Sequence, residues 1–322
     1  MNRTRVGLLR GGPSSEYDFS LRTGAAIQNA LPDDLYDVRD IYIDKQGMWH
    51  ARGMPTDPSR ALQQIDVVIN ALHGGVGEDG TVQRIIERIG VPYVGSDPLP
   101  SGLSYNKIRA REILHDAGIE MPRAVSFGLG TGLNTAEMSM AVFEQFAAPY
   151  VIKPANEGSS HGIRIATTIL ELPDGIGDVL DEFGTALIEE LVRGEEVQVG
   201  IIEGFRTENL YALPPAVIVR PDGARTVERQ HLVDGVQHLV PSPFSHGIKQ
   251  ELMDAARAAH IALGLSHLSS AGFILTPRGP VLLEVDSLPH LHEQAAFPAM
   301  LKSVGASLRE LVEHLIQVAR RG

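Results

Sequence analysis

Apolar residues in this chain fall into short continuous runs separated by longer amphipathic stretches, the pattern of strands alternating with helices. Arg5–Leu9 predicts a short buried strand, 10–15 a turn, and Ser20 to Leu31 a helix. Asp66–Ala71 predicts a second strand, followed by a glycine-rich loop, a helix over Thr81–Ile89 and a third strand over Val91–Val94. Such alternation implies a parallel sheet, with ligands at the carboxyl ends of the strands. Those ends carry Gly11-Gly12 and the segment His73 to Gly80.

The pattern then changes. Asn106–Ala117 predicts a helix stopped by Gly118, and Ala141–Phe146 belongs to another. Tyr150–Pro154 predicts a strand with Gly162–Thr167 as its hairpin partner, followed by a helix over Leu170–Phe183. Further strands are predicted over Ala186–Glu190, Glu196–Ile202 and Ala216–Arg220, with helices over Ile248–Leu263 and Ser307–Arg320. Between those two helices, apolar runs flank Pro277-Arg278-Gly279-Pro280, so residues 269–292 predict a β-hairpin. The divisions expected are 1–95, 96–185 and 186–322. The least regular stretch, Pro221 to Ser245, is charged and His-bearing, as a mobile loop would be.

A length of 322 residues suits two or three subdomains. Apolar residues make up 43% and aromatics 5%, which predicts an aliphatic core. No apolar run approaches the length of a membrane span and the N-terminus has no secretory pattern, so a cytoplasmic protein is expected. The absence of cysteine excludes disulfides, thiolate metal sites and a cysteine nucleophile. A formal net charge of −12 argues against nucleic acid or an anionic membrane as partner, though a local cluster of lysines can still hold a nucleotide.

Within the hairpin, Glu284 and Asp286 are two residues apart, so on a strand both carboxylates share a face and can chelate a hard cation such as Mg²⁺. Lys153 lies in the apolar run Val151 to Pro154, beside the small turn Gly158-Ser159-Ser160-His161-Gly162. A buried lysine needs an anionic partner, and the turn offers N–H groups and hydroxyls. The pair reads either as a phosphate grip or as a snorkelling lysine beside an ordinary turn. In His73–Gly80, glycines before a helix suit an anion or substrate, while Glu78 and Asp79 also simply favour a first helical turn. Glu189 and Glu196 bracket a turn at Gly194, where they could meet a purine and a ribose or be solvated. The twelve histidines show no His-Glu-x-x-His spacing, and His290 and His292 stand out only by their place beside the acidic hairpin.

Taken in order, these pieces resemble the D-alanine–D-alanine ligase family of ATP-grasp enzymes over nearly the whole chain. The resemblance rests on Gly11–Glu16, on Ala71–Gly74 with Gly77–Gly80, on Tyr105-Asn106-Lys107, on Lys153–Gly162 and on Leu283–Pro289. It implies an α/β fold with α+β character in the C-terminal half, arranged as three ATP-grasp subdomains with a parallel-sheet N-terminal domain. It also implies an ADP-forming ligase of peptidoglycan precursor synthesis, using ATP and Mg²⁺ to join two D-alanines through an acyl-phosphate; homodimers are common in the family. By the same resemblance Lys107 and Lys153 hold phosphates, Glu189 and Glu196 the adenine amino group and the ribose, and Glu284 and Asp286 the metal. Glu16 and His73 receive the first ammonium, and Ser159 the second carboxylate.

The chain departs from the family on one side of the site. The family's Arg-x-Asp, one of them a metal ligand, aligns with Ser270 and Gly272, and its metal-binding Asn with Asp286. A glycine facing the intermediate aligns with His290, and a serine for the second carboxylate with Ala295. Three outcomes are compatible with this. The chain is a D-alanine ligase with compensating groups such as Asp286 and Arg225 or Arg229, a ligase for another second amino acid or amine, or a catalytically degenerate ATP-binding homologue with a regulatory or scaffolding role.

Overall fold

The computed structural model describes residues 3–158, 161–220 and 236–321. The N-terminal section contains β1 (Thr4–Gly11), α1 (Tyr17–Ala30), β2 (Tyr36–Ile43), β3 (Trp49–Ala51), β4 (Met54–Thr56), α2 (Pro58–Ala61), β5 (Val67–Asn70), α3 (Thr81–Ile89) and β6 (Tyr93–Val94). Its sheet has the order β4-β3-β2-β1-β5-β6. The pairs β2–β1, β1–β5 and β5–β6 are parallel, and β3 and β4 extend the sheet as antiparallel edge strands. The expected parallel sheet is therefore present. Strand β2 was not expected. Its alternation is masked by Asp37, Arg39 and Asp40, and the charge of Asp40 is carried by Arg10 of β1 at 2.6 Å.

Helices α4 (Pro98–Tyr105) and α5 (Lys107–Asp116) lead to β7 (Ala124–Gly128), α6 (Thr135–Gln145), β8 (Tyr150–Pro154), β9 (Arg164–Ala166), α7 (Leu172–Phe183) and β10 (Thr185–Glu190). These strands form an antiparallel sheet in the order β7-β10-β8-β9. Its core joins Tyr150, Ile152 and Ile188 to Val142 of α6 and Ile176 and Val179 of α7. Strand β10, the start of the section expected over 186–322, pairs with β7 and β8.

The last section holds β11 (Glu195–Glu203), β12 (Leu210–Ala212), β13 (Ala216–Val219), β14 (Gln237–Leu239), α8 (His246–Ala262), β15 (Leu268–Thr276), β16 (Gly279–Asp286), α9 (Ala296–Ser303) and α10 (Leu308–Ala319). The sheet order is β14-β13-β11-β15-β16, with β12 also on β11. Strands β15 and β16 are the expected hairpin, with an irregularity between Gly272 and Phe273. Of the expected mobile loop, 221–235 lies outside the described residues, and Gln237–Leu239 is the edge strand β14. Helix α8 and residues Ala110 and Leu114 of α5 share one core with β11 and β15. Helix α10 crosses back to the N-terminal sheet, where Leu311, Val312 and Leu315 join Val6, Leu8 and Ile27. Among the described residues no helix is long and apolar enough to cross a membrane.

Candidate active site

The three sections meet at one cleft, lined by Glu16 and Glu78 from the first, Lys107, Arg111 and Glu189 from the middle, and Glu196, Glu284 and Asp286 from the last. On its middle-section side, β8 and β10 run antiparallel with Lys153 opposite Leu187 and Glu189 opposite Val151. Lys153 and Glu189 are thus diagonal neighbours on one face. Lys153 Nζ lies 2.6 Å from Glu189 Oε2, and Arg111 Nη1 lies 3.1 Å from Oε1. Lys153 and Glu189 are both buried, so their charges are tolerated because each compensates the other. The resemblance had assigned these two residues to separate parts of a nucleotide; in the structure they touch, and Glu189 faces the cleft while Lys153 backs it.

Lys107 opens helix α5, whose N-cap is Asn106 accepting the Arg109 N–H at 3.0 Å. Arg111 follows one turn later on the same face, and the Lys107 ammonium donates to the carbonyl of Glu157. Glu196 on β11 receives Arg220, whose Nη2 is 3.0 Å from both carboxylate oxygens.

The other end of the cleft is acidic. Glu16 sits just before α1 and is buried. A Cβ on Gly158 would lie 1.9 Å from Glu16 Oε1, so any larger residue there would have to displace the Glu16 carboxylate. Glu16 Oε2 faces His290 Nε2 at 3.0 Å. Glu78, read from sequence as an ordinary first-turn acid, is buried and accepts the Gly74 N–H at 3.0 Å. Burial, then Glu16 and Asp286, push its carboxyl well above the usual range. His73 bonds Thr23 Oγ1 through Nε2 at 2.9 Å, and its Nδ1 approaches Glu78 Oε1 at 3.6 Å without a hydrogen bond. Burial, then His290 and His292, hold His73 well below the ordinary histidine value, so this close approach is not an ion pair. The ring of His290 packs on His73 at 4.2 Å and on Phe19 at 4.9 Å between centroids.

Strand β16 carries the two hairpin acids, and register places Gly272 opposite Glu284 and Ser270 opposite Asp286. The facing strand therefore offers the acids no carboxylate and no guanidinium. Burial, then Glu284 and Glu16, raise the Asp286 carboxyl well above its usual range. Two carboxylates crowded on one face form a donor pair whose repulsion a divalent cation would relieve, so these residues fit a single Mg²⁺. Among the described residues no group of three His, Cys, Asp or Glu converges as a metal site.

Of the sequence candidates, Glu16, Lys107, Glu189, Glu196, Glu284, Asp286 and His290 line the cleft. Lys153 and His73 stand directly behind it, against Glu189 and His290 respectively. Ser159, Arg225 and Arg229 lie outside the described residues. Sequence reasoning missed Arg111, Arg220, Phe19 and the burial of Glu78. The i, i+4 spacing from Lys107 is a signal that reaches Arg111.

Comparison with known proteins bears directly on this site. Residues 113–317 match the family described as D-ala D-ala ligase C-terminus, and 51–96 match D-ala D-ala ligase N-terminus. The chain belongs to the D-alanine–D-alanine ligase family. It is 31% identical to a D-alanine–D-alanine ligase of Desulforudis audaxviator over 98% of both chains. The ligase fold is also that of the VanG D-Ala:D-Ser ligase from Enterococcus faecalis, with a TM-score of 0.85 and 25% identity over 99% of this chain and all of that one. A D-alanine–D-alanine ligase from Bacillus anthracis, solved with ATP, superimposes with a TM-score of 0.80 and 26% identity over 99% of this chain and 98% of its own.

Proposed function

We propose that this protein is an ADP-forming ligase that joins two D-alanines in the cytoplasm through an acyl-phosphate. The observation that carries the reading is one cleft with two complementary ends: the Lys153–Glu189–Arg111 cluster and Lys107 at one, and the glycine-cradled Glu16 at the other. Phosphoryl transfer needs positioning and charge neutralisation more than covalent help, and the first end supplies fixed cations. Glu189 orients Lys153 toward a nucleotide phosphate, Lys107 closes on the phosphates from helix α5, and Glu196 with Arg220 receives the ribose. Glu16 accepts the ammonium of the first D-alanine, with neutral His73 behind it. Ser159 is proposed for the second carboxylate. Glu284 and Asp286 would hold Mg²⁺, which neutralises the transferring phosphoryl group when bound.

Incubation with ATP, Mg²⁺ and D-alanine tests the reading: ADP and the D-alanyl dipeptide should appear together. Absence of D-alanine-dependent ADP release would overturn it. A second reading, a different second amino acid, is favoured by Ala295 in the cleft lining and by the likeness to a D-Ala:D-Ser ligase. Mass analysis of products formed from D-alanine mixed with D-serine and other D-amino acids separates the two readings.

A further inference from the structure

His290 stands where the resemblance places a glycine, and its side chain enters the acidic end of the cleft. Its surroundings orient it tightly. Glu16, at the start of α1, takes Nε2 at 3.0 Å. Phe19 of the same helix and His73 from the loop after β5 pack on the ring, and His292 of its own segment lies 5.6 Å away between centroids. A carboxylate on Nε2 fixes the tautomer with the proton on that nitrogen, which leaves a lone pair on Nδ1. Nδ1 has no hydrogen-bond partner among the described residues, and the side chain is 29% exposed, toward the cleft. This is the geometry of an orienting carboxylate, an imidazole and an open ring nitrogen.

The other basic side chains lining the described cleft are committed elsewhere or silent. Arg111 is held by Glu189, Arg220 by Glu196, Lys107 by the Glu157 carbonyl and His238 by the carbonyl of Gln294. His292 is kept neutral, its value lowered by burial to about 4. The facing strand contributes Ser270 opposite Asp286, the position where the resemblance places a guanidinium.

We propose that His290 is the proton acceptor of the ligation step, its Nδ1 taking the proton that the attacking amine sheds. The assignment rests on the ligase reading above. The amine nitrogen bonds to the acyl-phosphate carbon, and the carbon–oxygen bond to phosphate breaks with its electron pair leaving on phosphate. One proton of the former amine passes to Nδ1, while Glu16 stabilises the imidazolium that results. Glu16 has acceptor sites for both His290 and an ammonium, so the pair can link binding of the first amino acid to attack by the second.

The test uses the full chain and two readouts. Positional isotope exchange in ¹⁸O-bridged ATP with D-alanine reports acyl-phosphate formation, and mass analysis reports dipeptide. His290→Ala should slow dipeptide formation by about 10²-fold or more, leave isotope exchange within about threefold, and regain activity on addition of free imidazole. His290→Gln keeps a donor for Glu16 but no base, and should be equally slow. Dipeptide formation by His290→Gln near the unaltered rate, or a parallel fall of both readouts without imidazole rescue, would overturn the assignment. If the unaltered protein itself releases no ADP with D-alanine, it is the ligase reading that fails, and this assignment falls with it.

Discussion

The two ends of the cleft handle charge in opposite ways. At the β8–β10 end, Glu189 holds both Lys153 and Arg111 within 3.1 Å, a cluster that keeps one net positive charge although Lys153 and Glu189 are both buried. At the β16 end, Glu16, Glu78, Glu284 and Asp286 crowd together, and the carboxyls of Glu78 and Asp286 are pushed up by burial and then by neighbouring acids, Glu16 acting on both. The first end is a finished ion cluster that fixes the direction of a cation. The second is short of positive charge, and an ammonium group and a divalent cation are what would complete it. Crowded carboxyls in a cleft therefore point to a cationic ligand more directly than paired charges do.

The largest effect should come from breaking the finished end. Lys153→Ala leaves Glu189 buried with Arg111 alone, which should cost about 1.5–3 kcal/mol of stability, the scale of a lost hydrogen bond to a charged group, and abolish ATP binding by calorimetry; unchanged affinity would end the phosphate-grip assignment. At the unfinished end, Glu16→Ala should lower kcat/KM for D-alanine by about 10²–10³-fold, the scale of a lost charge-assisted contact, with ATP affinity unchanged. Equal loss of both would mean that the two ends are not separable. Gly158→Ala tests the cradle alone. Its Cβ must displace Glu16 Oε1, and a shift on the order of 1 Å should cost up to about 10²-fold in the same ratio.

Acid separates the two ends more gently. Buried His292 titrates at about 4, against about 6.5 for an unfolded histidine. The stability associated with its neutral form is present above pH ~6.5 and is lost as pH falls through that window to about 4. The raised carboxyls of Glu78 and Asp286 act in the opposite sense, favouring the folded chain as they take up protons. Urea unfolding at pH 7 and pH 5 should show a steeper loss on acidification for the unaltered protein than for His292→Phe. The smallest effect expected is from Gly272→Asp. The nearest atom to a Cβ there is Glu284 Cγ at 3.6 Å, an ordinary contact, so a third carboxylate fits and Mg²⁺ affinity should rise several-fold by calorimetry.

The parts legible in sequence were those where one local rule decides. Tyr150–Pro154 is a strand because its apolar run is buried throughout, and Thr81–Ile89 is a helix bounded by glycines on both sides. Glu284 and Asp286 share a face by period alone. The helix Pro98–Tyr105 was hidden because Pro, Gly and Ser weaken its local signal, and its place is fixed by packing, including Ser104 Oγ donating to the Val285 carbonyl at 2.6 Å. The Lys153–Glu189 contact depends on the register of two strands and joins residues 36 apart in the chain (189 − 153), which no single-strand pattern contains. Glu78 was missed for a similar reason: an acid at a helix entrance looks the same in sequence whether it faces water or Glu16.

The return of α10 to the first sheet has a consequence for how the protein is made. Val6, Leu8 and Ile27 emerge early, yet the side chains that cover them, Leu311, Val312 and Leu315, come about three hundred residues later. At about 5–20 residues per second, the first sheet waits on the order of 15–60 seconds for its cover. During synthesis an apolar face stays open on an otherwise formed parallel sheet, a surface for chaperones to hold and for neighbouring nascent chains to find.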